Sequence, residues 1–274
     1  MFQIGATILA SFVVILGILI AWLATVPTES EEEFCRMAEA APGKEEEFRS
    51  TNQTAFVVGH TGGTGSALVE ELVNRNIFQK VVLIGRRKLD KYEEEKYNML
   101  EQKIVDFEKL EDYADEFKGH SVGFVCLGAA KGSVGKEEYQ KSNHDYIVKV
   151  AELAKAGGCS HFVLTSAIDA DKDSMMVHKR LKGQVEAECT DMGFQKLSIF
   201  RPGLILAQQA KRNSRVLVAL LTPIIYFKPT LMSVPAETIG KAMVNTVLDP
   251  SEEAVKIIDN KGIHLVASGK ECKK

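Results

Sequence analysis

The stretch Thr54–Gly65, TAFVVGHTGGTG, decides the fold of this chain. The apolar run Ala55–Val58 is typical of a buried strand, and three glycines follow it: Gly59, Gly62 and Gly65. Beyond them, apolar side chains recur at helical spacing at Leu68, Val69, Leu72 and Val73. The pattern predicts a strand, a tight turn and the start of a helix.

A turn of this kind suits a bulky anion. Glycine allows positive φ and lets the backbone approach a ligand closely. The first amides of the following helix lack internal acceptors and point at whatever lies in the turn. The spacing is G-x-x-G-x-x-G rather than the dehydrogenase pattern G-x-G-x-x-G, and glycine triplets also occur in ordinary loops. The flanking strand and helix favour a pyrophosphate site.

Composition excludes some classes of function. The chain has 274 residues, of which 45% are hydrophobic, enough for one large domain or two small ones. A net charge of −3 gives no electrostatic reason to expect nucleic-acid binding. The five cysteines are scattered without metal-ligand spacing, so we expect reduced thiols and no metal site.

The N-terminal stretch Ile4–Val26 contains no charged side chain. A helix of this length would span about 35 Å, enough to cross a bilayer, and Trp22 suits its interfacial end. We therefore predict a single transmembrane helix within residues 1–26. A cleaved signal peptide is the alternative, but the run is long for one and no basic residue precedes it.

Residues 27–50 are polar and acidic, which indicates a linker with a short helix at Glu45–Phe48 before the domain at 51–274. Arg36 and Lys44 follow the predicted span while no basic residue precedes it, so the positive-inside rule places the main domain in the cytosol. The host membrane would be the mitochondrial outer membrane or the endoplasmic reticulum. Asn52 begins a glycosylation sequon, so a glycan at this residue would show that the main domain lies in the lumen instead.

Strands and helices alternate from Ala55 onward, which predicts an α/β fold with a Rossmann-like parallel sheet and helices on both faces. The apolar run Val216–Phe227 is too short to span a membrane and indicates core or a lid, with a membrane-dipping hairpin as the alternative. The predicted strands after Ala55–Val58 are Lys80–Ile84, Lys103–Asp106, Val122–Leu127, His161–Thr165 and Leu197–Phe200. The predicted helices after the glycine turn are Phe107–Phe117, Asp145–Ala156, Ser174–Cys189 and Ala236–Leu248.

Basic residues end the second predicted strand. Arg86 lies 21 residues beyond Gly65. At this position in nucleotide-binding sheets, an acidic residue binds the ribose diol of NAD, or a basic residue binds the 2′-phosphate of NADP. Arginine suits phosphate, so NADP is favoured over NAD, although a solvated cationic loop is the simpler alternative. Asp106 after the third strand either accepts from the adenine amino group or caps the next helix. The fourth strand ends in Leu127-Gly128-Ala129, where small residues would let the chain pass close under a cofactor; a tight turn is the alternative.

A candidate catalytic group follows the fifth predicted strand. Ser166 ends that strand, and His178 and Lys182 lie four apart on one face of a predicted helix. In a short-chain reductase a hydroxyl, a tyrosine and a lysine meet at such positions, and the tyrosine exchanges a proton with the substrate. Here His178 occupies the tyrosine position. Histidine can donate a proton near neutral pH, but an ordinary surface residue is the alternative.

Together these residues resemble the atypical short-chain dehydrogenase/reductase group of the Tat-interacting protein oxidoreductases, which is similar to yeast mitochondrial outer-membrane proteins. The resemblance spans roughly Phe48–Leu265. It is carried by Phe56–Gly65, Val82–Leu89, Val105–Leu110, Val122–Gly128, Ala151–Phe162, Lys182–Glu186 and Phe200–Gly203.

The resemblance implies a Rossmann-like domain that binds NADPH. It implies phosphate contacts at Thr61, Gly62, Gly63 and Thr64, and 2′-phosphate contacts at Arg86 and Arg87. It also implies contacts further along the cofactor at Leu127, Gly128, Lys182 and Ile205. The family tyrosine falls on His178, which departs from the pattern.

Two functions fit these observations. The first is a membrane-anchored NADPH-dependent reductase of a small or lipophilic carbonyl, with a proton from His178 or from a water held by Ser166 and Lys182. The second is a non-catalytic regulator whose NADPH-bound conformation is read by a protein partner. The missing tyrosine favours the second, and retention of Lys182 and Ser166 favours the first.

Overall fold

The computed structural model describes residues 42–130, 132–206, 233–251 and 253–269. The predicted membrane anchor at Ile4–Val26 and the apolar run Val216–Phe227 lie outside these ranges. Within them, every helix is too short or too polar to cross a bilayer.

A sheet of seven parallel strands forms the centre of the domain, in the order β3-β2-β1-β4-β5-β6-β9. Its chain order reverses between β1 and β4, and such a reversal opens a crevice at the carboxyl ends of the strands. The strands are β1 Thr54–Val58, β2 Lys80–Gly85, β3 Leu100–Ile104, β4 Val122–Val125, β5 His161–Thr165, β6 Lys196–Arg201 and β9 Val255–Asp259. A separate parallel pair is formed by β7 Leu204–Leu206 and β8 Ser233–Pro235.

Helices cover both faces of the sheet, as the sequence predicts. They are α1 Pro42–Ser50, α2 Gly63–Arg75, α3 Lys136–Gln140, α4 Tyr146–Ala156, α5 Val177–Asp191, α6 Ala236–Val247 and α7 Asn260–Ser268. One core packs α2, α6 and α7 against strand residues such as Ala55 and Val57. The other packs the segment Phe107–Phe117, α4 and α5 against Phe56 and Val58, because alternate strand side chains face opposite sides.

Some predicted elements were wrong in extent or type. The third strand lies at Leu100–Ile104 rather than Lys103–Asp106, since this edge strand is largely polar and lacks a clear apolar signal. The predicted helical segment Phe107–Phe117 has the expected bounds and forms a kinked 3₁₀-helix. Strand β9 was missed because Lys256, paired with Asp249 at 2.8 Å, takes a buried position where the pattern calls for an apolar side chain.

Helix α1 lies within the stretch predicted to be a linker, and it includes the predicted short helix at Glu45–Phe48. The ring of Phe48 packs edge-on against Phe78 with centroids 5.3 Å apart. Glu45 forms an ion pair with Arg75 at the end of α2. The division into anchor, linker and a domain from residue 51 stays a prediction, but α1 is in contact with that domain.

Candidate functional site

The glycine turn joins β1 to α2, and each glycine has a different role. Gly59 has φ +89°, and a Cβ there would lie 2.5 Å from the carbonyl oxygen of Cys126 at the end of β4. A Cβ at Gly65 would overlap the carbonyl oxygen of Gly59. Gly62 is the N-cap of α2 and carries no side chain to satisfy the first amides of the helix. The first amides of α2 therefore have no side-chain cap, and an anion bound in the turn would satisfy them.

His60 lies behind the turn with only 1% of its surface exposed. Neither ring nitrogen has a hydrogen-bond partner among the described residues. Burial lowers the pKa of this ring to about 4. The backbone of Ile84 lies nearby and raises the pKa in part, but it forms no hydrogen bond with the ring. A Cβ at Gly85 would lie 2.6 Å from Cε1 of the ring, so glycine at the end of β2 makes room for His60. A neutral ring therefore fills the space beside Gly85 at the end of β2.

A cleft opens at the carboxyl edge of the sheet, between the turns that follow β1, β2 and β4. It runs from the glycine turn to Arg86 after β2, and the aromatic side chains of Phe107 and Tyr146 form one wall. Its lining residues are Gly59, His60, Thr61, Gly85, Arg86, Phe107, Leu127, Ser142 and Tyr146. Residues predicted from three separate motifs are therefore neighbours in space.

The basic residues after β2 lie on the surface beside this cleft. Arg86 and Arg87 are both exposed, and Nη1 of Arg86 lies 3.4 Å from Oε1 of Glu138 on α3. An exposed pair of this kind contributes little stability, so the guanidinium can leave it for a phosphate. Asp106 accepts a hydrogen bond from the amide of Glu108 at 3.0 Å, which is the helix-capping alternative. Its contact with adenine stays a prediction.

Lys182 is the buried cation of the site. Its side chain rises from α5, and Nζ donates to the carbonyl oxygens of Leu127 at 3.2 Å and Thr165 at 3.4 Å. Only 4% of the residue is exposed, and burial lowers its pKa to about 8. It forms no ion pair with a carboxylate of the described chain within 4.0 Å. The ammonium therefore lies at the ends of β4 and β5 with hydrogen-bonding capacity to spare.

Two further buried polar groups face the same region. The hydroxyl of Ser166, directly after β5, and Oδ1 of Asn143 have no partner among the described residues. Nδ2 of Asn143 donates to the carbonyl oxygens of Ala129 at 3.1 Å and Tyr139 at 2.9 Å. A Cβ at Gly128 would lie 3.2 Å from Oδ1 of Asn143 and 3.7 Å from Nζ of Lys182. Buried groups left unsatisfied are rare in folded proteins and are expected where a ligand completes the site.

His178 lies in the first turn of α5, four residues before Lys182. Its Nδ1 is 2.9 Å from the hydroxyl of Tyr139 on α3. Partial burial of the imidazole and then the charge of Lys182 lower its pKa, although the residue as a whole is exposed. Sequence reasoning missed Tyr139 and Asn143 because it assigned no helix between Gly128 and Asp145, although their i, i+4 spacing is helical.

The structure thus gathers most of the predicted site at one sheet edge. Gly59, Leu127 and Arg86 line the cleft, and Leu127 also accepts from Lys182. Ile205 lies on β7, partly buried against the first core. Its role as a cofactor contact stays a prediction, as do the roles of the other site residues.

These residues fit a dinucleotide. The bare turn at the start of α2 suits the pyrophosphate, and the exposed guanidinium groups suit an additional phosphate. The Lys182 ammonium and the unsatisfied Ser166 hydroxyl would hold the ribose and the reactive end. When bound, a reduced nicotinamide supplies a hydride to an electrophilic carbon.

Comparisons with known proteins agree with this geometry. Residues 59–192 match a family model described as NAD(P)H-binding. Protein HTATIP2 of Rattus norvegicus is 40% identical over 220 residues, which cover 80% of this chain and 90% of the relative. Protein FMP52-2, mitochondrial, of Scheffersomyces stipitis is 28% identical over 222 residues, which cover 76% of this chain and 95% of the relative.

Solved structures share the fold. UDP-glucuronic acid 4-epimerase from Bacillus cereus in complex with NAD has a TM-score of 0.59 at 13% identity, covering 76% of this chain and 78% of that chain. MoeE5 in complex with UDP-glucuronic acid and NAD has a TM-score of 0.58 at 17% identity, covering 75% of each chain. At such low identity these likenesses establish the Rossmann-like architecture alone.

Proposed function

Since the chain belongs to the HTATIP2-like family of atypical short-chain dehydrogenases/reductases, we propose that it binds NADPH and reduces a small or lipophilic carbonyl compound. The observation that carries this proposal is the buried Lys182 ammonium, which donates to carbonyl oxygens at the ends of β4 and β5, next in sequence to the unsatisfied Ser166 hydroxyl. Burying a cation without a carboxylate partner is costly, and a bound ribose would give it acceptors.

The preference for NADPH over NADH is supported by Arg86 and Arg87. Both guanidinium groups are exposed beside the cleft, and no acidic residue stands next to them in the sequence where a ribose diol would need one. Arginine offers a planar set of donors that matches a phosphate.

The experiment is calorimetric titration of the full chain with NADPH. Lys182→Met should weaken binding at least 10-fold, because it removes the only buried ammonium that faces this strand edge in the described part of the chain. Lys179→Met is the matched control, since Lys179 lies one turn earlier on α5 and pairs with Asp169 at 3.0 Å. Equal affinities for the two variants would refute the assignment of Lys182.

A second candidate function is favoured by one observation: His178 occupies the tyrosine position of the family pattern. In that case the chain is a regulator whose NADPH-bound state is read by a protein partner. His178→Tyr separates the two. Carbonyl turnover that appears only in His178→Tyr favours the regulator, whereas turnover already present in the wild type favours the reductase.

We also propose that residues 4–26 anchor the protein in the mitochondrial outer membrane or the endoplasmic reticulum, with the folded domain in the cytosol. The uncharged length of the segment supports the anchor, and the yeast relative is named as mitochondrial. Extraction of membranes at alkaline pH should leave the chain in the pellet. A glycan on Asn52, which is exposed in the turn before β1, would overturn the cytosolic orientation.

A further inference from the structure

We propose that Tyr139, on a different element from the family tyrosine, is the proton donor of this site, and that His178 positions its hydroxyl. This inference rests on the proposed reductase function. Tyr139 would then be the general acid in place of the residue at position 178.

The phenol of Tyr139 lies beside the residue that takes the place of the family tyrosine. The Tyr139 hydroxyl lies 2.9 Å from Nδ1 of His178, with ring centroids 6.4 Å apart and planes tilted by 51°. His178 and Lys182 share one face of α5 because they are four residues apart. A hydroxyl held by His178 therefore stands beside the position from which a tyrosine four residues before Lys182 would act.

The helix that carries Tyr139 is fixed next to the site. Nδ2 of Asn143 donates to the carbonyl oxygen of Tyr139 at 2.9 Å and so ties α3 to the π-helical stretch Lys141–Asp145. Stretches of this kind occur frequently at functional sites. Asn143 also reaches Ala129 after β4 at 3.1 Å, so the position of Tyr139 is linked to the strand end that accepts from Lys182.

The protonation states favour the phenol as the acid. Partial burial of the ring and the Lys182 charge lower the pKa of His178, so the imidazole is neutral near pH 7 and lacks the second ring proton that an imidazolium would donate. Burial raises the pKa of Tyr139, so its hydroxyl keeps its proton until a stronger base is presented. An imidazole Nδ1–H donated to the phenol oxygen would stabilise the phenolate as it forms, and the Lys182 ammonium adds a positive charge nearby.

The step balances as a two-electron reduction. The substrate carbonyl carbon gains a C–H bond from the hydride of NADPH, which is oxidised to NADP⁺. The carbonyl oxygen gains an O–H bond as the Tyr139 O–H bond breaks. The phenolate then takes the Nδ1 proton of His178 as water delivers a proton to Nε2 of the same solvent-accessible ring, and exchange with water restores the Nδ1–H tautomer.

Turnover of 4-nitrobenzaldehyde with NADPH by the full chain tests the donor. Tyr139→Phe removes one oxygen and should lower kcat at least 100-fold while NADPH affinity changes less than about 2-fold, since general acids contribute 10²–10⁴-fold. Tyr113→Phe is the matched control, because Tyr113 is a half-buried tyrosine in Phe107–Phe117 that packs against the second core and does not line the cleft. A loss below about 3-fold in Tyr139→Phe would overturn the proposal.

A second variant separates donor from positioning residue. His178→Asn keeps an N–H close to the position of Nδ1 and should retain kcat within about 10-fold, whereas His178→Phe should not. If His178→Asn loses as much as His178→Phe while Tyr139→Phe remains active, His178 is the donor and the proposal fails.

A readout independent of turnover is the ¹⁵N resonance of His178 in the labelled protein without nucleotide. Tyr139→Phe should shift Nδ1 of His178, and Tyr113→Phe should not. An unmoved resonance would show that the pair does not form in solution, which overturns the proposal. The proposed function fails separately, if calorimetry detects no NADPH binding. Binding without turnover of the aldehyde by the wild type would overturn the donor while leaving cofactor binding intact.

Discussion

Single residues decide whether the turn after β1 can form. Gly65 packs its Cα against the carbonyl of Gly59, whereas a Cβ at Gly62 would have only the Gly59 oxygen, at 3.4 Å, as a neighbour. Gly62 also has φ −83°, which any residue adopts. The two glycines therefore serve different purposes, one in packing and one in access to the ligand.

We predict that Gly65→Ala lowers the free energy of unfolding by about 1–3 kcal/mol and abolishes NADPH binding, because the added methyl overlaps backbone that cannot move away. Gly62→Ala should leave stability within about 1 kcal/mol and weaken only the binding. Urea denaturation and calorimetry measure the two effects. Similar stability for both variants would mean that the close approach at Gly65 is not needed.

Glu138 competes for the guanidinium of Arg86. Glu138→Gln removes a negative charge 3.4 Å from Nη1 and should strengthen NADPH binding about 2–5-fold without changing stability, since the pair is exposed. Glu137→Gln is the control, because Glu137 pairs with Lys141 instead. Weaker binding in Glu138→Gln than in Glu137→Gln would argue against a phosphate at Arg86.

At this scale, local patterns in the sequence predicted the glycine turn and the approximate position of Lys182. Glycine spacing and i, i+4 spacing are patterns within a few residues of sequence, so recognising them requires no knowledge of the tertiary fold. The Tyr139–His178 contact joins residues 39 apart on two helices. Only the packing of those helices brings the two side chains together, so no local pattern could have predicted the contact.

Among the elements, α5 positions two of the three candidate catalytic residues. It carries His178 and Lys182, and Gly183 lets it lie against the preceding loop, because a Cβ there would overlap the amide nitrogen of Lys172. The amide of Asp171 donates to the carbonyl oxygen of Lys179 at 3.1 Å, which ties that loop to the first turn of the helix.

We predict that Gly183→Ala displaces α5 and costs about 1–3 kcal/mol of stability, with NADPH affinity reduced because Lys182 moves with the helix. Gln184→Ala on the same helix is half-buried and should change both quantities little. Thermal unfolding with and without NADPH measures the effect. A Gly183→Ala protein as stable as Gln184→Ala would show that the loop adapts.

The elements that sequence reasoning predicted well have strong apolar signals: continuous runs in β1 and β5, and helical spacing in α6. Those it missed are held by tertiary contacts. Strand β9 buries Lys256 against Asp249, and α3 is only five residues long and mostly charged. Local propensity contains no information on tertiary contacts such as the Lys256–Asp249 ion pair, so these elements could not be predicted from their own residues.

For the molecule as a whole, buried histidines make stability depend on pH. His161 on β5 is buried and hydrogen-bonded to Ser198 at 2.9 Å. Burial lowers its pKa from 6.5 to about 3, and the Lys196 charge adds to the shift. A folded-state pKa below the unfolded value means that the unfolded chain binds the proton first, so stability is full above pH 6.5 and falls as the pH drops toward 3.

We predict that the free energy of unfolding falls by about 1.4 kcal/mol per pH unit from this ring once the pH is below about 6. His161→Gln removes that slope, and its difference from the wild type at about pH 8 reports lost packing alone. Urea denaturation at several pH values measures both. A parallel pH profile for the variant and the wild type would contradict a neutral buried ring at position 161.

The most direct measurement is the ratio of the dissociation constants for NADPH and NADH, by calorimetry on the full chain and on the Arg86→Ala, Arg87→Ala double variant. We expect the wild type to bind NADPH at least 10-fold more tightly than NADH, since a guanidinium–phosphate pair is charge-assisted. The double variant should bind both nucleotides about equally. An unchanged ratio in the double variant, or no binding of NADPH by the wild type at about 1 mM, would contradict the assignment of this sheet edge as an NADPH site.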